Sequence, residues 1–323
     1  MTGAGAAAVE RSLAVVVPTR GSPTLLRALE SLAADLATAF TDALLVVIDD
    51  ATPRPIEIPE RVGGIATRLL RLDRRHGFGP AVNVGVAACA ARWVAVVNDD
   101  VEVERGCFTA LVDALVKRTA WVACPAVEAR EAPSSAPGRT SVVDESLYRL
   151  VWDRATLRTQ PIAFERSLTP HYPSGALALY DRACWDVLGG YDEHFAPYYW
   201  EDVDLGLRAL ARRLAGDERF TAVHVPAARG RHERHRTVVD EPRSLRKTIY
   251  RRNRELILHR HLASPSLRRA HLAMLVPRAL RGLLSGDASH LRGALWARRL
   301  GRTEWRDGAP PSGALDALLD GRV

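Results

Sequence analysis

The sequence lacks the cysteine patterns that mark a zinc finger or a dithiol redox motif. It contains four cysteines that lie far apart and form no C-x-x-C pair: Cys89, Cys107, Cys124 and Cys184. Isolated cysteines of this kind are typical of reduced thiols in the core of a cytosolic protein. We therefore expect neither a structural zinc site nor a disulfide framework.

Segments that would target or insert the chain into a membrane are also lacking. Residues 1–12 have no basic stretch followed by the long apolar run of a signal peptide. No stretch approaches the ~20 uninterrupted apolar residues of a membrane span. We therefore expect a cytoplasmic protein, and peripheral contact with the inner face of the cell membrane remains open.

The sequence does contain enough apolar residues for a large core. Of its 323 residues, 47% are hydrophobic, which argues against global disorder. The length suits one large domain, or one domain with an appendage. The formal net charge is +7, and nearly all the positive charge is arginine. A basic balance favours anionic ligands such as nucleotide diphosphates, acidic lipids or nucleic acid.

Short apolar runs alternate with helical patterns along the first half of the chain. Residues 13–17, 44–48 and 93–97 are rich in β-branched side chains, as in strands buried on both faces of a sheet. Leucines at helical spacing follow the first run, and a Gly-rich turn precedes a helix near residues 82–90. This alternation predicts an α/β fold with right-handed connections.

Polar residues follow each of these strands directly. Pro18-Thr19-Arg20 follows the first strand, Asp49-Asp50 the second and Asn98-Asp99-Asp100 the third. Ligands bind at the carboxyl ends of the strands in such sheets. Because like charges repel, the aspartates would contact ribose hydroxyls, a base N–H, or a divalent cation that itself binds a diphosphate. The alternative for each aspartate is a helix cap or a turn.

A second acidic group begins an amphipathic helix predicted over residues 201–214. Glu201 and Asp202 stand in its first turn, where the helix dipole favours an ionised carboxylate that can act as a general base. We interpret Asp204 as an ordinary charge at the start of a helix. Trp200 is either a core residue or a surface on which a sugar ring stacks.

Together these segments resemble the family 2 glycosyltransferases, which are inverting enzymes with the GT-A fold. The resemblance covers about residues 12–240 and depends on the order and spacing of short motifs. Those motifs are Val15-Val-Val-Pro-Thr-Arg20, Val47-Ile-Asp-Asp-Ala-Thr52, His76-Gly-Phe-Gly79 with Asn83 and Gly85, Val96-Val-Asn-Asp-Asp100, Ser174-Gly-Ala176, Gly189-Gly-Tyr-Asp192 and Trp200-Glu-Asp-Val-Asp-Leu205. An aromatic residue commonly precedes the Glu-Asp pair in the rhamnosyltransferase-like branch of this family, and the sequence resembles that branch because Trp200 stands in this position.

The resemblance implies a Rossmann-like mixed sheet flanked by helices, and a role for each matching residue. Asp202 is implied as the catalytic base, with Glu201 beside it. Trp200 and Gly175 would contact the acceptor, and Asp100 would bind Mn²⁺ or Mg²⁺. The residues implied to bind the nucleotide-sugar donor are Pro18, Thr19, Arg20, Asp50, Gly77, Asn83 and Asp99.

The resemblance further implies that a histidine after the last core strand completes the metal site. His232 is the candidate, and His224 and His235 are its competitors. The sequence departs from the family at Arg231 and the residues after it, where small residues are common. We expect this departure to alter the local geometry of the histidine site.

The implied reaction moves a sugar, rhamnose or another hexose, from a UDP- or dTDP-linked donor to a glycan, a lipid-linked acceptor or a small molecule. A sugar-1-phosphate nucleotidyltransferase would need a longer Gly-rich basic loop than residues 18–22 provide. A non-catalytic sugar-nucleotide-binding scaffold would not need both Asp100 and Asp202. The Arg-rich end of the chain has few interleaved aromatic residues, so we expect no specific nucleic-acid binding.

The pattern divides the chain into four parts. They are a flexible N-terminus at 1–11, a GT-A domain at 12–241, an Arg-rich helical extension at 242–306 and a flexible tail at 307–323. We expect the irregular residues 142–173 and the extension to build the acceptor pocket. Residues 264–284 mix leucine and arginine, as in helices packed on a domain or in contact with an anionic membrane.

Overall fold

A computed structural model describes the chain over residues 12–130, 143–144, 148–161, 170–233, 241–300 and 312–321. The predicted flexible N-terminus and His235 lie outside these ranges. The strands are β1 (Ser12–Thr19), β2 (Asp42–Asp49), β3 (Arg61–Val62), β4 (Ile65–Arg71), β5 (Trp93–Val97), β6 (Val101–Val103), β7 (Val122–Arg130), β8 (Val143–Asp144), β9 (Tyr148–Asp153), β10 (Thr156–Pro161), β11 (Leu177–Asp181) and β12 (Ala222–Glu233). The helices are α1 (Leu25–Leu36), α2 (Phe78–Ala87), α3 (Cys107–Arg118), α4 (Arg182–Leu188), α5 (Glu201–Leu214), α6 (Arg243–His261), α7 (Pro265–Leu284), α8 (Ser289–Leu300) and α9 (Ala314–Leu319).

Ten strands of the described part join in one mixed sheet. Its order is β3-β4-β2-β1-β5-β11-β7-β12-β6, with β8 paired to β7. β1 runs parallel to both β2 and β5, whereas β11 runs antiparallel to β5 and β7. The α/β mixed sheet flanked by helices that the sequence predicts is confirmed.

Both faces of the central strands are buried because helices cover each side. Val15 and its alternate neighbours on β1 pack with leucines of α1, whereas Val16 packs with Val82 of α2 and Leu205 of α5. Strands buried in this way read as continuous apolar runs, which is why the sequence marks β1, β2 and β5 so clearly.

The segment predicted as irregular, residues 142–173, contains a regular hairpin. β9 and β10 pair in antiparallel fashion from Tyr148↔Pro161 to Asp153↔Thr156. Leu150 and Leu157 point their apolar side chains into a core shared with α5 and α6. Strands of six residues with few β-branched side chains give a weak pattern, so the sequence did not reveal them.

The end of the chain also differs from its prediction as a flexible tail. Residues 314–319 form α9, in which Leu315 is fully buried and Leu318 nearly so. Asp316 accepts hydrogen bonds from the backbone N–H groups of Ala263 and Ser264, at 2.6 Å and 2.9 Å. These contacts hold α9 against the turn between α6 and α7, so this part of the predicted tail is ordered.

The helical extension packs on the domain through α6. Leu256 and Ile257 of α6 share an apolar cluster with Trp200, Val203 and Leu207 at the start of α5. Within the ranges given above, no helix combines the length and apolar character needed to cross a membrane.

The interpretation of Asp204 as an ordinary helix-start charge is wrong, because the residue is fully buried. Its carboxylate accepts hydrogen bonds from Arg208 Nε at 2.7 Å and Arg260 Nη1 at 3.0 Å. His261 Nε2 lies 2.9 Å from Asp204 Oδ1. Since Arg260 and His261 belong to α6, the Asp204 carboxylate joins the start of α5 to the extension.

We expect Asp204→Asn to lower the free energy of unfolding by about 3–5 kcal/mol, the usual cost of leaving buried charges without their partner. Burial alone raises the pKa of Asp204, but Arg208, His261 and Arg260 hold that pKa well below its ordinary value. Its contribution is therefore present above pH ~4 and is lost as the pH falls further towards the folded-state pKa. Urea denaturation at neutral and acidic pH measures both effects.

The matched control for this experiment is Asp113→Asn, at an exposed residue of α3. A loss of stability in D204N no larger than that in D113N would mean that the buried network does not hold the two parts together.

Candidate functional site

A cavity of about 600 Å³ opens at the carboxyl ends of β1, β2 and β5. Its wall combines these strand ends with the loop before α2, the start of α5 and residues of α6. It collects most of the residues that the sequence singles out. Those that line it are Pro18, Thr19, Arg20, Asp50, Gly77, Asp99, Asp100, Gly175, Trp200, Glu201, Asp202 and His232.

Asn83 is the predicted site residue that does not line the cavity. Its Nδ2 donates to the carbonyl oxygen of Tyr191 at 2.7 Å, and its Oδ1 accepts from the backbone N–H of Tyr191 at 2.9 Å. A Cβ atom on Gly190 would stand 2.6 Å from Asn83 Oδ1, so this contact also requires the glycine. Asn83 therefore holds the turn that directly follows α4.

Asp50 fixes the loop that closes one side of the cavity. Its two carboxylate oxygens accept hydrogen bonds from the backbone N–H groups of His76 at 2.7 Å and Gly77 at 3.0 Å. Gly77 has a φ of 94°, and a Cβ atom there would stand 2.5 Å from the Cα of Pro197. The glycine of this loop is thus required by both its backbone angle and its close neighbour.

Two buried aspartates follow β5 and meet the ends of other strands. The Thr19 hydroxyl donates to the Asp99 carboxylate, and burial, with a smaller effect of the Asp100 charge, raises the pKa of Asp99 to about 6. Asp100 Oδ1 lies 3.0 Å from His232 Nε2. His232 lies within β12, opposite Val101, and not beyond the last strand as the sequence suggested.

Asp100 and His232 are the residues of the cavity that could hold a divalent cation. No group of three or more His, Cys, Asp or Glu ligands occurs in the part of the chain that the structure describes. One carboxylate together with substrate phosphate oxygens nevertheless fits a hard cation such as Mg²⁺ or Mn²⁺, and His232 would add a nitrogen ligand that Mg²⁺ accepts less readily than oxygen. His224, the competitor on the same strand, does not line the cavity.

Glu201 and Asp202 are adjacent carboxyls, the first buried and the second half-buried, and both have raised pKa values. Removal from solvent is the main cause that raises the pKa of each carboxyl. The charge of Asp202 adds to the shift at Glu201, whereas the backbone N–H groups of Val203, at 2.8 Å, and Gly175, at 3.2 Å, stabilise the Asp202 carboxylate. The two N–H groups therefore favour Asp202 as the ionised member of the pair.

Four polar side-chain atoms around the cavity are buried without a hydrogen-bond partner among the described residues. They are Arg20 Nε, Trp200 Nε1, Glu201 Oε2 and Arg246 Nε. Because an unsatisfied buried polar group costs free energy, native proteins keep few of them outside functional sites. Their position around one cavity indicates a polar ligand.

The residues just before α5 have a strained backbone. Tyr199 and Trp200 have φ angles of 74° and 76°, in the left-handed region that bulky side chains rarely occupy. Asn253 of α6 is fully buried, and its Nδ2 donates to the carbonyl oxygens of Phe195 at 2.7 Å, Tyr198 at 3.0 Å and Tyr199 at 2.8 Å. The extension thus holds the loop that presents Glu201 and Asp202.

Sequence reasoning missed most of the aromatic wall of the cavity. Tyr250 of α6 lies with its ring centroid 5.3 Å from that of Trp200 and 5.9 Å from that of Tyr199. The scattered aromatic residues of 142–173 were a signal for this wall, but they had no periodicity to place them. The tyrosines that line the cavity are Tyr148, Tyr172, Tyr198, Tyr199 and Tyr250.

Comparison with protein families agrees with this geometry. The chain matches the family described as "Glycosyl transferase family 2" over residues 14–188, more than half of its 323 residues. The chain belongs to glycosyl transferase family 2. The matched region contains Asp50, Asp99 and Asp100 of the cavity, and it ends before Glu201 and Asp202.

Two family relatives come from Mycobacterium tuberculosis. "Pre-mycofactocin glycosyltransferase" is 28% identical over 202 residues, which cover 62% of this chain and 39% of the relative. "N-acetylglucosaminyl-diphospho-decaprenol L-rhamnosyltransferase" is 28% identical over 202 residues, 55% of this chain and 62% of the relative. The chain therefore matches less than two thirds of the length of each.

A solved structure supports the GT-A fold. The chain is similar to the crystal structure of GalNAc-T7 with UDP, GalNAc and Mn²⁺, with a TM-score of 0.54 and 18% sequence identity. The similarity covers 76% of this chain and 48% of that one, and at such an identity it concerns the fold alone.

We expect Asn253→Asp to loosen the loop before α5, because a carboxylate cannot donate to the three carbonyl oxygens. Leaving buried acceptors unpaired costs about 1–3 kcal/mol of folding free energy. Hydrogen exchange should therefore become faster at the amides of residues 196–203. The control is His259→Gln, at an exposed residue of the same helix. Equal exchange rates in the N253D and H259Q variants would contradict the role assigned to Asn253.

Proposed function

We propose that this chain is a metal-dependent inverting glycosyltransferase, which moves a sugar from a nucleotide diphosphate to an acceptor hydroxyl. The observation that carries this proposal is that Asp100, His232, Glu201 and Asp202 all line one cavity of about 600 Å³. The carboxylates come from distant parts of the chain, and membership of the family supports the same chemistry.

For the donor we propose a UDP- or dTDP-linked hexose, rhamnose being one candidate. Asp50, Asp99 and Arg20 line the part of the cavity at the strand ends, where α/β proteins bind nucleotides. The buried Arg20 Nε offers an unused donor to a ligand there. The similarity to a relative named as an L-rhamnosyltransferase supports rhamnose.

The proposed reaction is a single displacement. Asp202, the first of its pair to ionise, accepts the proton of the acceptor hydroxyl while the oxygen bonds to the anomeric carbon. The bond from that carbon to the diphosphate oxygen breaks, its electron pair leaves with the nucleoside diphosphate, and the configuration is inverted. Mn²⁺ or Mg²⁺ held by Asp100 and His232 would stabilise the charge on the departing diphosphate.

For the acceptor we propose a glycan, a small molecule or a lipid-linked sugar that lies against the aromatic wall of Tyr148, Tyr172 and Tyr250.

A peripheral membrane contact through the extension is supported by apolar side chains at every fourth position of α7. These are Leu272, Val276, Leu280 and Leu284, whose exposed fractions are 59%, 62%, 56% and 91%.

The activity is tested by incubating the chain with UDP- and dTDP-sugars and Mn²⁺ or Mg²⁺ and measuring the release of nucleoside diphosphate. The variant Asp202→Asn tests whether Asp202 is the catalytic base. We expect D202N to lose about 10²–10⁴-fold in turnover while its donor affinity stays within about twofold, because only proton transfer is lost. In the wild type the rate should rise with pH as the Asp202 carboxyl ionises, and this rise should lie above the usual range of an aspartate because removal from solvent raises the pKa of Asp202. The residual rate of D202N should lack this rise.

The control for D202N is the exposed variant D113N. Wild-type turnover in D202N would remove Asp202 from its role. Donor binding without nucleotide release by the wild type, under every condition of the screen, would favour the non-catalytic scaffold.

The metal site is tested by the affinity for UDP, measured with Mn²⁺ and again with a chelator. We expect Asp100→Ala and His232→Gln to weaken Mn²⁺-dependent binding about tenfold or more, because each removes one of two protein ligands. The chelator should abolish the difference from the wild type. His224→Gln, on the same strand but outside the cavity, is the matched control. An equal effect of H224Q and H232Q would contradict the assignment of His232.

A further inference from the structure

A second concave surface, of about 710 Å³, adjoins the main cavity on the side of the extension. We call it the basic pocket, because six of its lining residues are cationic. The cationic residues are Arg158, Arg243, Arg246, Lys247, Arg251 and Arg254, and the remaining lining residues are Leu157, Thr159, Tyr199, Tyr250 and His290.

Carboxylates near the basic pocket offset only part of its charge. Asp287 pairs with Lys247 at 3.0 Å and with Arg251 at 3.3 Å. Asp153 lies 3.2 Å from Arg158, and Glu255 lies 3.4 Å from Arg254 but also 2.7 Å from His271. Arg243 and Arg246 have no ion-pair partner in the ranges that the structure describes. The pocket therefore keeps an excess of positive charge.

Two donors of the basic pocket are unused. Arg246 Nε and Arg254 Nε are buried and have no hydrogen-bond partner among the residues described, and the same holds for His290 Nδ1, which is a donor in only one neutral tautomer. Arg254 is only 8% exposed, so its guanidinium is held in place by the surrounding fold. Burial, together with the charges of Arg251 and Arg254, lowers the pKa of His290 to about 4. A buried N–H group without a hydrogen-bond partner costs free energy, and an anion in the pocket would offset this cost.

The basic pocket does not include the strand ends, where the donor diphosphate is proposed to bind. It shares Thr159, Tyr199, Arg246 and Tyr250 with the main cavity, and these residues belong to β10, to the loop before α5 and to α6. The residues at the strand ends, such as Asp50 and Asp99, line only the main cavity. An anion in the basic pocket would thus lie beside the aromatic wall, where the acceptor is proposed to bind.

We propose that the basic pocket binds a phosphate or diphosphate group carried by the acceptor. This inference rests on the proposed function, because it assigns the acceptor side of the same site. Guanidinium groups in this number match phosphate oxygens by paired, charge-assisted hydrogen bonds. The acceptor is accordingly a phosphorylated sugar, and its phosphate is either free in water or linked to a lipid.

Binding of inorganic pyrophosphate to the full chain tests the pocket directly. Calorimetry in the presence of a chelator removes the contribution of a metal at Asp100. We expect one pyrophosphate per chain, bound about tenfold or more weakly by the double variant R243Q/R246Q, because charge-assisted hydrogen bonds to the anion are lost. Arg243 is exposed and Arg246 half-buried, so this variant is expected to fold.

The matched control is the double variant R298Q/R299Q, which removes the same charge from two exposed residues of α8 outside the pocket. Its affinity for pyrophosphate should stay within about twofold of the wild type, because charge-assisted contacts act only at short range. Absence of binding by the wild type, or equal weakening in both double variants, would overturn the proposal.

A second titration with farnesyl diphosphate distinguishes the two sources of the phosphate. Tighter binding of farnesyl diphosphate than of pyrophosphate would support a lipid-linked acceptor, and equal binding would support a water-soluble sugar phosphate. Both titrations omit donor and metal. They can therefore fail while wild-type cleavage of a nucleotide sugar succeeds, and cleavage can fail while they succeed, so the two proposals are judged separately.

Discussion

The start of α5 holds three carboxylates with little access to solvent, Glu201 and Asp204 buried and Asp202 half-buried, and this is the constraint on which the rest of the structure depends. Asp204 is fully compensated by Arg208, Arg260 and His261, which hold its pKa well below the ordinary value. Glu201 and Asp202, within the same turn, have no cation beside them in the ion pairs of the described residues, and their pKa values rise. One network therefore supplies the stability that allows the neighbouring pair to remain uncompensated with little access to solvent.

The extension is a structural part of the site, because α6 contacts the first turn of α5 through Arg260 and His261. Arg260 pairs with Asp192 at 2.8 Å as well as with Asp204, and Asn253 holds the strained loop between these two residues. A strained backbone persists only where its surroundings fix it. The family match ends at residue 188, so α5, which carries the proposed base, and α6, which holds the loop before it, lie beyond the matched region, whereas Gly175, which donates to Asp202, lies within it.

The sequence predicted correctly those elements in which the burial of successive residues follows one regular pattern. Residues 93–97 and 201–214 have the predicted bounds because one is buried on both faces and the other is evenly amphipathic. The hairpin of β9 and β10 and the helix α9 depend on tertiary contacts, which no local pattern records. The burial of Asp204 was not predicted for the same reason, because its partners Arg260 and His261 are more than fifty residues away in the sequence. A general rule for strand ends predicted that Arg20, Asp50 and Asp99 lie close together. Neither this rule nor the family resemblance predicted that Asn83 lies outside the cavity or that tyrosines form one of its walls.

The two phosphate-binding regions that we propose differ in how they handle negative charge. At the strand ends three lining residues, Asp50, Asp99 and Asp100, are acidic, so a cation is needed there in addition to the Arg20 guanidinium to attract a diphosphate. In the basic pocket the side chains themselves carry the positive charge, and no cation is needed. Without a bound cation only the basic pocket favours a phosphate group, so the metal state decides whether the strand-end region also binds one. The asymmetry follows from which element supplies the wall: strand ends on one side, and the arginines of α6 on the other.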